Sequence, residues 1–301
     1  MSYQLISRIL ASPWFIHRAW ADAHLPLVVA LLNGHNVSFV ERTGNESVEL
    51  PFVIDPTTME RKWFITGDGQ RNANIAPNSV GIIPITGPLT QYNGDCGEPG
   101  MIQRTSWLLQ MNKSDNISSI VQLIDTPGGE GRAAHGYCSV MAKSSKPILS
   151  YVDNMCASLG MWFSSQSDEV YMSHDLACMG SIGSYVMLAD WSGYLEKVGI
   201  KLHEIYAPQS TEKNKDYKDA LKGDYSAVQE DLKLHVDAFI NHVANSGGKT
   251  NRSDRARSNT NEWNSGKMFN GKDAVKMGLA DGIKSLDQVV MKASWLSKRK
   301  K

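Results

Sequence analysis

The stretch "SSIVQLIDTPGG", residues 118–129, decides the fold. It is apolar through Ile124, as expected of a strand buried on both faces, and it then runs into a proline and two glycines. A segment that can form a helix follows at 132–144, and a second strand-like run, "PILSYVD", follows at 147–153. This alternation of strands and helices predicts a layered α/β core.

The same alternation continues on both sides of this stretch. It predicts strands at 80–89, 169–172, 180–188 and 201–207, and helices at 101–113, 190–199 and 225–246. The last helix is the clearest, because six apolar residues share one face: Val228, Leu232, Val236, Phe239, Ile240 and Val243. The polar, glycine-containing stretch 247–263 is interpreted as a loop.

The first part of the chain has a different pattern. It predicts a helix that stops at Gly34 and short strands within 37–42, 48–54 and 61–66. We therefore divide the chain into a small α+β N-terminal appendage at 1–77, a core at 78–290 and a basic tail at 291–301.

Composition excludes several classes of protein. The 301 residues carry no formal net charge, so nothing argues globally for nucleic acid or an acidic membrane as partner. Neither a secretory signal nor an apolar run of about 18 residues is found, which predicts a cytoplasmic protein without a membrane span. Four cysteines lack metal-ligand spacing, so we expect reduced thiols and neither metal nor cofactor: Cys96, Cys138, Cys156 and Cys178.

A single serine follows the strand at 147–153. In "NMCASLGMWFSS", residues 154–165, Ser158 stands where that strand ends and a helix begins. Serine is favoured as a helix N-cap, which is the ordinary interpretation. The alternative is a nucleophile, with its hydroxyl beside the free N–H groups of a helix start. The stretch alone leaves both open.

The "IDTPGG" turn, 124–129, also has two interpretations. It can be a plain strand-to-helix turn. It can also let a substrate approach the main chain and aim N–H groups at an oxyanion. Because the strands before it and before Ser158 are neighbours in the sequence pattern, both motifs are expected at the carboxyl edge of one sheet.

A serine nucleophile needs a base. None of the downstream histidines has obvious triad placement: His174, His203, His235 and His242. The lysine-rich stretch "YAPQSTEKNKDYKDALKGD" after the strand at 201–207 offers Lys213 or Lys215, provided that burial or a nearby cation lowers the pKa of the amine.

Taken together, these segments resemble peptidase family S49, the signal peptide peptidase A-like serine proteases. The resemblance covers roughly residues 78–290 and lies in "VGIIPITGPL", "IVQLIDTPGGEG", "PILSYVDNMCASLGMWFSSQSDEVYM", "MGSIGSYVMLADWSGYLEKVGIKLHEIYA" and "WNSGKMFNGKDAVKMGLADGI", in the family's order and spacing. It implies a crotonase/ClpP-like layered β-β-α superhelical core.

The resemblance also implies roles for named residues. Ser158 would be the nucleophile and a downstream lysine its base, with Lys213 favoured and Lys215 the runner-up. Oxyanion donors would come from the turn, at Gly128 or Gly129, and from the backbone of Leu159. The family often has Gly-Gly after the serine. Here Leu159 stands first, which alters the pocket's shape more than its N–H donor.

Among family members the soluble appendage resembles the phage type, which implies a prophage or phage capsid-assembly (prohead) protease. It would cleave capsid or scaffold protein as a homo-oligomer, and a signal-peptide-type peptidase is the alternative within the family. Two alternatives belong to other classes: a catalytically silent crotonase-like scaffold, and a crotonase-type acyl-CoA enzyme that needs no serine nucleophile.

Overall fold

A nine-stranded sheet forms the centre of the described structure, beside a separate two-stranded one. The structure is a computed structural model and describes residues 14–17, 26, 50–65, 70, 72–94, 98–188, 190–245 and 251–299. Its strands are β1 Trp14–Ile16, β2 Phe52–Ile54, β3 Arg61–Trp63, β4 Ser79–Thr86, β5 Ile117–Thr126, β6 Gly128–Glu130, β7 Ile148–Ala157, β8 Glu169–Met172, β9 Cys178–Gly180, β10 Met268–Asn270 and β11 Gly282–Ile283.

The described helices lie between the strands in the sequence and after the last of them. They are α1 Met101–Lys113, α2 Ala134–Ala142, α3 Leu159–Ser164, α4 Ser192–Lys197, α5 Lys215–Leu221, α6 Ser226–Asn245, α7 Asn251–Ser258, α8 Thr260–Trp263, α9 Gly271–Met277 and α10 Leu286–Arg299. Within the described ranges, no helix combines the length and apolar character that crossing a bilayer requires.

The centre of the sheet is parallel. Its main path runs β10-β9-β7-β5-β4-β2-β3, and β8 pairs with β7 and β11. β4, β5 and β7 run parallel to one another, with α1 and α2 in the connections between them. Parallel neighbours need such crossovers, and both faces of the sheet are then covered. Ile82, Ile120 and Val152 are fully buried accordingly.

Two apolar layers hold the sheet between helices. On one face Trp107 and Met111 of α1 and Tyr137 of α2 join the larger core. On the other, Val289 and Val290 of α10 pack with a cluster that includes Ile82, Val121 and Leu149. Each fully buried side chain of this size stabilises the fold by about 2 kcal/mol. The predicted α/β core is confirmed.

Two of the N-terminal strands, β2 and β3, extend the main sheet, whereas β1 forms a separate two-stranded sheet with β6. β2 pairs antiparallel with β4, β3 pairs with β2, and β1 pairs with β6. The predicted strand at 37–42 and the helix that stops at Gly34 lie outside the described residues. The range 291–301, set apart as a basic tail, falls largely within α10, where Ala293 is buried.

Three local predictions were wrong. Residues 181–188 form no strand beyond an isolated bridge, and 201–207 form none, with Leu202 72% and Ile205 93% exposed. A strand needs a neighbour for its backbone groups, and no described strand lies beside 201–207. The predicted loop 247–263 contains α7 and α8, because Trp263 is buried and its indole N–H bonds the carbonyl of Ala256 at 2.9 Å.

Candidate active site

Ser158 lies at the sharp turn between β7 and α3. The last residue of β7, Ala157, stands opposite Gly180 of β9, and the N–H of Ser158 donates to the Gly180 carbonyl at 2.8 Å. The turn gives Ser158 a φ of 52° and a ψ of −113°. Such angles cost a non-glycine residue about 1–3 kcal/mol and persist only where the surroundings impose them.

The backbone geometry of Ser158 differs from that of a helix N-cap. An N-cap serine has extended backbone angles and accepts a hydrogen bond from the first helical turn. Ser158 has neither feature, since its φ is positive and its side chain makes no capping bond to α3. A serine with a positive φ between a strand and a helix resembles the nucleophile elbow of serine hydrolases.

The proline-glycine turn lies beside this elbow, as the pattern predicts. It follows β5, and β5 is the parallel neighbour of β7, with Thr126 opposite Cys156. Contact across the pair is tight, because a Cβ on Gly160 would stand 2.7 Å from Thr126 Cγ2. The carboxyl ends of β5 and β7 therefore bring the two motifs to one edge of the sheet.

The N–H of Gly128 has a partner within the turn. It donates to Thr126 Oγ1 at 3.1 Å, and that hydroxyl donates to the Gly87 carbonyl at 2.5 Å. Gly128 also has a φ of 101°, which strains any residue with a side chain. In this conformation Gly128 is held in place rather than offered to a ligand.

Gly129 lies in β6 between two chain segments. On one edge Leu89 accepts from Glu130 N–H at 2.8 Å and donates to the Gly128 carbonyl at 2.9 Å. A Cβ on Gly129 would stand 2.0 Å from the Leu89 oxygen, so only glycine fits there. On the other edge lies β1, with Phe15 opposite Gly129.

Leu159 begins α3, so its N–H lacks an intrahelical partner. Its side chain is buried, as are those of Met161 and Phe163. The helix that follows Ser158 is therefore packed through apolar residues. Trp162 stacks on Phe239 of α6 with ring centroids 4.7 Å apart. The helix start is thus anchored by packing on both sides.

Three of the four downstream histidines have other partners. His174 Nδ1 accepts from the N–H groups of Leu176 and Ala177, and His235 lies beside Asp231. His242 packs against Trp162, and burial lowers the pKa of its ring. None of them contacts Ser158 in the part of the chain that the structure describes.

The two candidate lysines lie in and next to the turn before α5. Lys213 and Lys215 are exposed, and both line a cavity of about 250 Å³ together with Tyr206, Ala207, Ser210, Thr211, Lys218, Asp219 and Lys222. Lys215 Nζ lies 3.2 Å from Glu212 Oε2, and this hydrogen bond raises the pKa of the Lys215 amine. A contact between either lysine and Ser158 is absent from the described residues, so the structure does not bring the predicted base to the serine.

One lysine has the lowered pKa that a base needs, but it lies elsewhere. Burial lowers the pKa of Lys146 to about 8. Its Nζ donates to the carbonyls of Met111 and Ser114 at 2.7 and 2.6 Å, at the end of α1. Lys146 precedes β7, whereas Ser158 follows it, so ten strand residues separate the two. Lys146 therefore caps the C-terminal end of α1, and it is not among the bases predicted from the sequence.

Sequence comparison finds a family and distant relatives. The model of peptidase family S49 matches residues 141–300. A candidate signal peptide peptidase SppA from Enterococcus faecium is 25% identical over 278 residues, which are 86% of this chain and 73% of that protein. Protease 4 from Haemophilus influenzae is 21% identical over 223 residues, 73% of this chain and 35% of that protein. The chain thus spans only about a third of protease 4.

Structural comparison finds two kinds of neighbour. A mutant of the 1510-N membrane-bound stomatin-specific protease has a TM-score of 0.45 at 16% identity, covering 71% of this chain and 84% of that one. A candidate enoyl-CoA hydratase/isomerase from Acinetobacter baumannii has a TM-score of 0.42 at 14% identity, covering 75% and 83%.

Proposed function

Because the chain belongs to peptidase family S49, we propose that it is a serine endopeptidase in which Ser158 is the nucleophile. The mixed α/β sheet fits the crotonase/ClpP-like fold that the family resemblance implies. The observation that carries the proposal is the backbone of Ser158, with a φ of 52° and no capping bond, at the edge where β5 and β7 end. Nothing in the packing of a plain helix start requires that strain.

The proposed reaction uses Ser158, backbone N–H groups at this edge, and a lysine that must come to the serine from elsewhere. Ser158 Oγ attacks the scissile carbonyl while a neutral lysine takes its proton. The resulting oxyanion is held by the N–H of Leu159 and, once its present partner has been displaced, by that of Gly128 or Gly129. The tetrahedral intermediate expels the amine, which takes the proton from the lysine, and water then hydrolyses the acyl-enzyme.

Lys213 is the base that we propose, with Lys215 as runner-up. The ion pair with Glu212 argues against Lys215, because it favours the charged amine that cannot accept a proton. Lys213 has no ion pair among the described residues. It is exposed in this single chain, however, and it must come into a drier environment to act.

A homo-oligomer would supply that environment. The segment before the lysines exposes six large apolar side chains, and we call it the apolar segment. They are Trp191, Tyr194, Val198, Ile200, Leu202 and Ile205. Exposed apolar patches of this kind mark contact surfaces. Packing of this segment against a second copy would bury it and desolvate the neighbouring Lys213.

The oligomer has its own test. Ile205→Asp should dissociate the assembly in sedimentation velocity and lower peptidase activity at least tenfold. Leu176→Asp is the matched control, because Leu176 is 81% exposed outside the apolar segment. Equal effects of the two variants would argue against the segment as the contact.

The natural substrate that we propose is a phage or prophage capsid or scaffold protein, as the phage-type resemblance implies. Signal peptides are the second candidate, since a relative that aligns with 86% of this chain is named as a signal peptide peptidase. Mass spectrometry after incubation with either substrate class distinguishes them by the new termini that appear.

A serine-directed phosphonate probe tests the chemistry without a known substrate. We expect one covalent adduct on Ser158, none on Ser158→Ala, and an unchanged adduct on Ser184→Ala, a half-buried serine elsewhere. Labelling that survives Ser158→Ala would remove Ser158 as nucleophile. A protein that takes no label at all would favour the silent scaffold, and acyl-CoA turnover insensitive to Ser158→Ala would favour the acyl-CoA enzyme.

A further inference from the structure

A short N-terminal strand lies on the turn that follows β5. β1, Trp14–Ile16, runs antiparallel to β6, with Trp14 opposite Glu130, Phe15 opposite Gly129 and Ile16 opposite Gly128. The pairing extends one residue further, since the N–H of His17 donates to the Pro127 carbonyl at 2.7 Å. An extended peptide therefore already occupies one edge of β6.

This edge is the one that presents the N–H of Gly129. The backbone groups of successive strand residues point to opposite edges, and the Gly128 carbonyl and Glu130 N–H both face Leu89. The N–H and the carbonyl of Gly129 must then face β1. In an antiparallel pair, every second pair of opposite residues is hydrogen-bonded. Because His17 and Pro127 form such a pair, Phe15 and Gly129 form the next one, which places the Gly129 N–H against the Phe15 carbonyl.

Both N–H groups proposed as turn donors are thus engaged. Gly128 N–H is held by Thr126 Oγ1, and Gly129 N–H faces β1. An oxyanion can use Gly129 only after Phe15 has moved away from it. The described conformation therefore combines a formed serine elbow with an occupied turn.

The sequence of β1 also indicates which kind of peptide the edge of β6 can bind. Addition of an extended segment to a free strand edge gives affinity through main-chain bonds and selectivity through alternate side chains. Ile16, the residue opposite Gly128, is only 7% exposed. The edge therefore takes an extended segment with an apolar side chain at that position.

We propose that Trp14–His17 is an intramolecular occupant of the peptide-binding edge of β6 and keeps the site closed. An extended stretch of a protein substrate, with an apolar residue at the place of Ile16, opens the site by exchanging with this segment. This inference rests on the proposed peptidase function, and it adds that the free chain is held in check by its own N-terminal part.

A proline at position 17 tests the occupant in the full chain. His17→Pro removes the N–H that bonds Pro127, and it suits the extended backbone that Ile16 already has. His17→Ala is the matched control, because it keeps the N–H and removes only the ring. We expect probe labelling of Ser158 about fivefold faster in His17→Pro, the factor that loss of one backbone hydrogen bond gives, and unchanged in His17→Ala.

A reversible cross-link tests the same segment in the opposite direction. Trp14 and Glu130 form a non-hydrogen-bonded pair, whose Cα separation of about 4.5 Å suits a disulfide. In Trp14→Cys/Glu130→Cys the oxidised protein should label at least tenfold more slowly than the same protein after reduction. A disulfide that fails to form in the folded protein, or that leaves labelling unchanged, would overturn the inference.

The two proposals fail in different ways. If labelling depends on Ser158 but is equally fast in His17→Pro and His17→Ala, the peptidase proposal stands and the proposal of a closed site is wrong. If no variant is labelled although circular dichroism shows that all are folded, the peptidase proposal is wrong, and the proposed role of Trp14–His17 fails with it.

Discussion

Gly160 and Thr126 touch across the β5–β7 pair so closely that a Cβ on the glycine would stand 2.7 Å from Thr126 Cγ2. This contact joins the helix that follows Ser158 to the residue that holds Gly128. It is the point at which the two motifs are fixed relative to each other.

The first prediction concerns this contact. Gly160→Ala should lower the free energy of unfolding by about 1–3 kcal/mol, because the new methyl overpacks against Thr126. Thr126→Ser removes Cγ2 but keeps the hydroxyl, so the double variant should recover at least half of the loss, as measured by urea denaturation.

Gly136→Ala is the control for this pair. Gly136 also lies in a helix, α2, but a Cβ there meets nothing within 4 Å. Alanine should stabilise that site by about 0.5–1 kcal/mol. Additive losses in Gly160→Ala and Thr126→Ser would show that the contact does not couple them.

The second prediction separates stability from catalysis at Ser158. Ser158→Gly and Ser158→Ala should both abolish probe labelling. Because glycine adopts a φ of 52° without strain, Ser158→Gly should be more stable than Ser158→Ala by about 1 kcal/mol. Equal melting temperatures of the two variants would mean that the turn relaxes and stores no strain.

The third prediction concerns the base. A lysine accepts a proton only when it is neutral, so the rate of acylation should rise with pH until the amine is deprotonated. Lys213→Met should reduce labelling by a hundredfold or more, whereas Lys215→Met should change it less than threefold. The reverse order would assign the base to Lys215, and a flat pH profile would exclude a lysine base.

The fourth prediction concerns acid stability. Burial lowers the pKa of His242 below its usual 6.5, the nearby His135 acts in the same direction, and a backbone hydrogen bond at Trp162 opposes them only in part. As pH falls through 6.5, the unfolded chain takes up this proton before the folded one does, so folding stability falls.

The effect is measured by comparing variants. His242→Phe should lose less stability between pH 7.5 and pH 5 than the parent protein, as read from thermal melts. His203→Phe, at an exposed histidine, should behave as the parent does. An identical pH dependence in all three proteins would contradict the assignment.

The sequence predicts what depends on local pattern. α1 begins and ends where its periodicity predicts, at Met101 and Lys113, and β8 occupies 169–172 as expected. The buried runs of β5 and β7 place Thr126 and Ser158 at one edge, because parallel neighbours end together.

What the sequence does not predict depends on distant partners. The run at 201–207 has strand-like residues but no neighbouring described strand to bond with, so propensity alone does not make it a strand. The polar 251–263 stretch is helical because Ala256 and Trp263 are buried in the core, which a local polarity count cannot reveal. The pairing of β1 with β6 is likewise invisible to local periodicity.

That pairing also sets an order of events during synthesis. β1 leaves the ribosome more than a hundred residues before Gly128–Glu130, which at about 5–20 residues per second is a delay of roughly 5–20 s. For that interval the N-terminal segment has no strand to join and is available to any other extended chain nearby. A chaperone or a nascent neighbour that pairs with the segment during this interval would delay closure of the site until it is released.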